Sequence, residues 1–491
     1  MKKIVFFLLC LLLLAMMAST VLAGGAGWDP KYTIQISAAV FPDPVFREYV
    51  KQFDEDHSGS LDLGEQGAYE IDVTNMGVTD LTGIEYFTNM FILRCGSNPL
   101  TRLDLQQNKG LETLDCTSCQ LTEIRFGDNP KLKTIYCDNN QLTKLDVRGL
   151  PSLDILRCRK NQLTSLLCNI ASIRIINCDQ NQLTELDVSQ ATGLEYLSCA
   201  FNQLTKLDVT HNSVLNNLVC VNNQLKHLDV SQNPALEDLR IDGNQFSRLD
   251  VSKNVSLRNL QICRNQFKNI DLSQNTALRY LECLENKIKQ LDLSHNPELE
   301  SLRCDGNQLT TLDLSRNPKL TTLECTNNLL KTLDLSKNTR LTNLLCNNNK
   351  LTKLDVSKCT ALNDLVRSQE PGIEEDYQYG YGWWKVTEDE IYTPVLFLDK
   401  TVQVITSGTA KVTSPSVKLN QTKATVQKGK TVQLKVKKIT SVDDTVTWKS
   451  SNKKIATVDK TGKVKGKKKG TCTITCSTTD GATAKCKIIV K

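Results

Sequence analysis

A chain of 491 residues, 40% of them hydrophobic and 23% charged, is long enough for two or three domains. Its net charge of +6 hides an asymmetry: residues 411–491 hold 20 Lys, no Arg and 4 Asp, a net of +16, and with Lys2 and Lys3 set aside residues 4–410 carry −12. An acidic body with a basic tail follows. Only four histidines are present (His57, His211, His227, His295), with no GxSxG, HExxH or locally framed carboxylate pair, so the sequence argues against an enzyme.

Lys2 and Lys3, the apolar run from Ile4 to about Ala18 and the small-residue exit Val21-Leu22-Ala23 form a secretory signal peptide over residues 1–23. No later segment approaches the roughly 20 apolar residues that span a bilayer. Cys10 lies within the apolar run after leucines, unlike a lipoprotein cysteine, and no transmembrane tail or LPxTG sorting sequence follows. The expectation is a secreted protein associated with the bacterial surface, if at all, without a covalent link.

Residues 24–70 read as a small helical N-terminal cap. PDPVFREYVKQF spaces Val45, Phe46, Tyr49, Val50 and Phe53 on one helical face. FDEDHSGSLDLGE then places Asp54, Asp56, Ser58, Ser60, Asp62 and Glu65 at positions 1, 3, 5, 7, 9 and 12 of the pattern D-x-[DN]-x-[DN]-G-x5-E, with Gly59 at the sharp turn. The stretch resembles an EF-hand or dockerin-type calcium loop. Ser58 departs from the usual Asp or Asn, and Gly64 with Gly67 leaves little room for an exit helix. Structural Ca2+ is the cofactor this implies; an acidic turn of similar composition is the alternative.

Residues 71–366 repeat about every 21 residues as L-x-x-L-x-C-x-x-N-x-L, as at Leu111–Leu121, Leu153–Leu163, Leu194–Leu204, Leu215–Leu225, Leu299–Leu309 and Leu341–Leu351. An LDV or LDL pair followed by S-x-N separates the units. This is the leucine-rich-repeat signature, and it predicts an α/β solenoid with a parallel sheet on one face. The sixth position runs Cys95, Cys116, Cys137, Cys158, Cys178, Cys199, Cys220, Ile241, Ile262, Cys283, Cys304, Cys325, Cys346. Strand alternation turns it inward with the leucine two residues before it. A small buried hydrophobe tolerates exchange with isoleucine; a metal ligand or disulfide partner does not. Rungs ~4.8 Å apart with parallel Cβ vectors also mismatch the ~3.8 Å Cβ separation of a disulfide. The thiols are expected to be free and structural, with scattered disulfides or a metal ladder as alternatives. Cys119 and Cys359 stand at asparagine positions and Cys168 at a Val or Leu position. Asn140, Asn161, Asn202, Asn223 and Asn307 are expected to pair buried turn backbone. These units resemble the internalin J branch of bacterial leucine-rich-repeat proteins, which implies a secreted or surface-bound protein that acts by binding.

Recognition on such a fold must use the residues that alternate with the inward ones. The third and fifth positions supply Tyr136, Tyr196 and Tyr280 with Arg94, Arg157, Arg240 and Arg303, and Phe201 holds an eighth position. Tyr and Arg are hot-spot types; the alternative is ordinary exposed side chains at variable positions. A second column, Asp146, Asp187, Asp208, Asp229, Asp250, Asp271, Asp292, Asp313, Asp334 and Asp355, stacks like charges that turn amides and solvent must offset.

The period fails after Leu365, and residues 367–415 read as end cap and linker. Residues 416–491 show short alternating strands separated by KG, TG and DG turns. VTWKSSN, IATVD, TGKVKG and GTCTIT stand in the order found in the bacterial immunoglobulin-like domain of group 2, which this segment resembles, and an all-β sandwich is implied. Cys476 and Cys486 flank Asp480-Gly481 and could meet across the strands. The lysines, densest in KVKGKKKG at 463–470, suit an anionic cell-wall polymer or a solvated face. The sequence thus predicts an adhesin-like binding protein for a host or neighbouring-cell surface protein or glycan. The alternative is a structural wall or matrix component held by its basic domain; nucleic acid and a membrane span are not expected.

Overall fold

Short apolar triplets separated by asparagine-rich turns cannot build long elements, and the described strands of the repeats, from Glu70–Asp72 to Lys353–Asp355, are three residues each. A computed structural model describes residues 33–368, 380–386, 392–407, 416–440, 446–478 and 482–491. The signal peptide, much of the 367–415 connector and the Asp480-Gly481 turn lie outside the described residues. The chain divides into two compact units, Met1–Leu163 and Thr164–Lys491.

In the first unit the helix Pro44–Val50 is capped by Asp43, whose Oδ1 accepts the N–H of Val45 and Phe46, both at 2.9 Å. Its Oδ2 accepts the Thr79 N–H and hydroxyl at 2.8 and 2.7 Å, tying the cap to the first coil. Burial pushes the Asp43 carboxyl up, but the hydrogen bonds from Phe46, Thr79 and Val45 outweigh it and hold the pKa below its ordinary value. Phe41 and Phe46 are fully buried, and Gly83 (φ +103°) is required because a Cβ would fall 2.2 Å from the Phe41 ring. The Tyr49 hydroxyl accepts the Asp72 N–H at 2.9 Å, occupying a donor of the first parallel strand, Glu70–Asp72. That strand leads an in-register ladder, Ile71, Leu93, Leu114, Ile135 and Leu156 facing one another in turn.

The second unit continues the same construction in strands of three residues, from Ile175–Asn177 to Asn343–Leu345. Ile176, Leu197, Leu218, Leu239, Leu260, Leu281, Leu302, Leu323 and Leu344 form its column. The end cap is more regular than its sequence. Helix Thr360–Ser368 buries Leu362 and Leu365, and Tyr392–Asp399 adds a further parallel strand with Leu396 facing Leu344. Gly380–Val386 pairs antiparallel to that strand, and Gln403–Ile405 pairs with Lys353–Asp355.

Two asparagine ladders hold the turns. Asn202 donates to the carbonyls of Cys178 and Cys199, both at 3.1 Å, and of Ala200 at 3.3 Å, while its Oδ1 accepts the Leu183 N–H at 3.0 Å. Asn140, Asn161, Asn223 and Asn307 make equivalent bonds. In the second ladder Asn233 donates to Val209 and Asn212 carbonyls at 2.9 and 2.8 Å. Asp229 there takes the Ser231 N–H, and the Asn233 Oδ1 has no protein partner. Where Arg125 replaces the aspartate, the Asn129 Oδ1 instead takes the Gly127 N–H at 2.7 Å. All ten aspartates of the Asp146 to Asp355 column accept the N–H two residues on, as at Asp187, Asp208 and Asp313.

The sixth-position cysteines are fully buried, and every cysteine of the described residues is free. Burial pushes the Cys220 and Cys283 thiols up to about 12, with Asp242 and Asp305 adding to the effect. Cys359 reproduces the asparagine it replaces, its Sγ lying 3.8 and 3.5 Å from the Leu335 and Asn338 carbonyls. Cys119 likewise reaches the Cys95 carbonyl at 3.3 Å. Ile241 and Ile262 occupy the cysteine positions of two rungs whose last leucine is also exchanged, for Phe246 and Phe267, which stack with centroids 6.5 Å apart.

In the basic segment the strands Lys423–Val426, Thr483–Val490, Gly470–Thr478 and Val446–Ser450 form a four-stranded sheet, beside three-stranded and two-stranded sheets. They enclose a core that includes Leu434, Val464, Ile474 and Ile488. Cys476 faces Ala484 and Cys486 faces Ile474, so the register staggers the two thiols and the expected cross-strand meeting does not occur.

Asn202→Ala strands the Leu183 N–H and three carbonyls, and we expect a loss of about 2–4 kcal/mol, read as a lower urea midpoint. Native protein at pH 8 should resist thiol alkylation at every ladder cysteine, with slow labelling of the part-exposed Cys263 alone in the solenoid. Mass spectrometry showing rapid labelling of Cys199 or Cys220 would contradict this packing.

Candidate ligand face and cation loop

Alternation puts the third, fifth and seventh positions of each rung on the outer sheet face, and the chain then turns at the eighth with a left-handed residue. Ser97, Ser118, Asn139 and Lys160 do so in the first unit; Gln180, Phe201, Asn222, Gly243 and Arg264 do so in the second. Asn, Ser and Gly suit that backbone; Phe201 (φ 55°) does not, and it is also 51% exposed.

In the first unit Arg94, Asp115, Tyr136 and Arg157 occupy one column of successive rungs. The Arg157 guanidinium lies over the Tyr136 ring at 5.4 Å, and Arg94 is ion-paired with Glu70. An exposed aromatic contact that the periodic reading passed over lies here too: Tyr69 and Phe91, both exposed at the second position, meet with centroids 5.3 Å apart. Two aromatics one repeat apart at a position otherwise rich in charge were the available signal.

In the second unit the expected residues are spread along the face. Arg240 pairs with Asp238 of its own strand at 2.8 Å, and Arg303 lies between Glu324 at 2.8 Å and Glu282 at 3.7 Å. Burial pushes the Glu324 carboxyl up against the opposing pull of Arg303. The Tyr280 hydroxyl donates to Glu300 at 3.2 Å, beside Arg279, which pairs with the same carboxylate. Exposed pairs of this kind contribute about 0–1 kcal/mol each; their effect is to orient the arginines. Tyr196 and Phe201 belong to one rung, and the next brings Val219 and Val221, the Phe201 N–H donating to the Val221 carbonyl at 2.8 Å. In that register Tyr196 faces Asn217 and Val219 faces Ser198, so with Ala200 they belong to an uncharged stretch of mixed polarity between Asp179 on one side and Asp238, Arg240 and Asp242 on the other. The two valines were missed because isolated valines in strands carry no signal by themselves.

The loop after the N-terminal helix gathers oxygen ligands. Carboxylate oxygens of Asp54, Asp56 and Glu65 lie within 4.8 Å of one another. Asp54 is buried, and its two oxygens accept the N–H of Ser58 and Gly59 at 2.9 Å each. Ser58 Oγ contacts the Ser60 carbonyl at 3.1 Å and Asp54 Oδ1 at 3.5 Å, so the oxygens of positions 1, 3, 5, 7 and 12 converge. Glu65 closes the loop, accepting the Glu55 and Asp62 N–H at 2.7 and 2.9 Å. Asp62 lies outside that group; its Oδ1 caps the short helical turn Glu65–Gly67 through Gly64 and Glu65 N–H. An all-oxygen set with a left-handed Gly59 (φ 79°) fits a hard divalent cation. The sequence did not reveal the loop's support, the strand Ile34–Gln35 paired antiparallel with Ser60–Leu61.

Residues 411–489 match the bacterial Ig-like domain (group 2). No curated protein matches the chain. Among solved structures, the functional domain of the internalin InlJ from Listeria monocytogenes, described as including a cysteine ladder, is 27% identical over 94% of this chain and 99% of that chain, with a TM-score of 0.59. The leucine-rich effector YopM from Yersinia pestis is 25% identical over 63% and 82% of the two chains (TM-score 0.52). The internalin InlF of Listeria monocytogenes, at 20% identity over 68% and 96% (TM-score 0.52), shares the fold. Rungs of about 21 residues and an inward cysteine column give the chain the solenoid fold of the cysteine-ladder leucine-rich-repeat protein it resembles, followed by a segment that matches the group 2 bacterial immunoglobulin-like domain.

Proposed function

We propose that this is a secreted or cell-surface, adhesin-like binding protein whose solenoid sheet face recognises a protein or glycan of a host or neighbouring cell. The observation that carries the reading is the uncharged spot of Tyr196, Phe201, Val219 and Val221 bordered by ion-paired rungs. Aromatic and aliphatic side chains among uncharged polar ones, with charge confined to the rim, are the composition of an interaction hot spot. Phe201 supports it further, because a half-exposed aromatic in left-handed backbone costs the fold about 1 kcal/mol while leaving much of its ring to solvent. Among the described residues no helix is long and apolar enough to cross a membrane. A second reading, a wall or matrix component held by the basic domain through an anionic polymer, draws on the net +16 of residues 411–491.

We also propose that Asp54, Asp56, Ser58, Ser60 and Glu65 hold one Ca2+. The ion would neutralise facing carboxylates and stiffen the cap that covers the first coil.

Binding of the purified chain to epithelial cells and to mucin tests the face. Phe201→Asn should leave stability unchanged or raise it by about 0.5–1 kcal/mol, since Asn tolerates the backbone; combined with Tyr196→Ala it should weaken binding tenfold or more. Undiminished binding by that double variant would rule the spot out. For the loop, calorimetric titration with CaCl2 should show one site and a raised melting temperature, both abolished by Glu65→Gln. No heat and no shift at millimolar Ca2+ would reduce the loop to an acidic turn.

A further inference from the structure

We propose that the outer face of the four-stranded sheet in the basic domain binds a linear phosphodiester polymer without bases, the chemistry of envelope polyol phosphates. This rests on the second reading above and names its surface. In that sheet Lys423 faces Lys487 on the neighbouring strand, Lys487 faces Thr473, and Lys485 faces Thr475, which in turn faces Lys449. Register therefore places four lysines on one face, and the residues that alternate with them, among them Cys472, Ile474, Cys486 and Ile488, fill the core. Threonine and serine make up nearly all of the remainder, Ile489 is the one large apolar member, and no Asp or Glu is present among the described residues of this face.

Lys423 and Lys487 in direct register repel one another, and Lys418 with Lys438 repeats the arrangement on the two-stranded sheet. Among the described residues no carboxylate stands in register with these lysines, a repulsion which a solvated face does not need and an anionic ligand relieves. Lys485 and Lys487 point the same way two residues apart, about 6.6 Å along the strand, and adjacent strands are ~4.8 Å apart. That grid suits a flexible chain bearing one charge per repeat, its hydroxyl and phosphate oxygens accepting from lysine and threonine. Trp448 faces Cys476 and is turned to the core, so the face offers no aromatic on which bases could stack. It also lacks the apolar centre of a protein interface.

The test uses the full chain and purified poly(glycerol phosphate), with binding followed at low and at moderate salt. Changing Lys423, Lys449, Lys485 and Lys487 to Gln should weaken binding tenfold or more and flatten its salt dependence. The equal-charge control, Lys463, Lys465, Lys467 and Lys468 to Gln, should weaken it no more than threefold. Removing the in-register repulsion should leave the melting temperature of the face variant unchanged or higher, so loss of binding is not loss of fold. Equal losses in both variants, or none in either while the parent chain binds, would overturn the assignment of this face. A parent chain that ignores the polymer at low salt would overturn the underlying reading, and single-stranded DNA bound as tightly as the polymer would overturn the ligand class.

Discussion

Every coil of this solenoid buries backbone that no helix or long strand can pair, and that constraint governs the rest. Strands of three residues leave most of each rung as turn, so carbonyls and amides that a globular protein would send to water lie inside. Asparagine meets the need because one side chain offers two donors and an acceptor, and Asn202 spends both on backbone from neighbouring rungs. Its geometry fixes the rung spacing, the spacing fixes the volume left for the sixth position, and cysteine fills it. Where the position takes isoleucine the adjoining leucine becomes Phe246 or Phe267, so volume is adjusted by pairs of rungs rather than singly.

The outer face then has freedom the interior lacks. Several of its arginines are held by carboxylates, Arg303 by Glu282 and Glu324 one strand away and Arg240 by Asp238 of its own strand, which presents them in one orientation with little left to order on contact. Charge at the ends follows a different logic. The N-terminal loop concentrates carboxylates within a few ångströms of one another, while the basic domain spreads lysines over open sheet.

The repeats were legible because a period of about 21 residues fixes which side chains turn inward, and the column from Cys95 to Cys346 is buried as its strand position requires. The turn bonds of the LDV aspartates were equally legible, being local. Contacts that depend on register between distant segments were not: the partner strand Ile34–Gln35 of the loop, the strand Tyr392–Asp399 beyond the last repeat, and the stagger of Cys476 against Cys486. Of the face residues, types were readable and partners were not. Nothing in the sequence shows that Arg240 turns to Asp238 of its own strand or that Val219 and Val221 complete the surface beside Phe201.

The cysteine column also sets a race at birth. Before its coils close, the chain displays all the thiols that the finished coils hide, at spacings that permit many wrong pairings. Once a rung has closed on its neighbour those sulfurs are out of reach of any oxidant. Ladder contacts here span only some two dozen residues of chain, as between Asn202 and Cys178, so each closure is local and fast compared with the seconds to hours of disulfide chemistry. Local closure of the coils, with no pairing of sulfur among the described residues, is enough to put the ladder thiols out of reach.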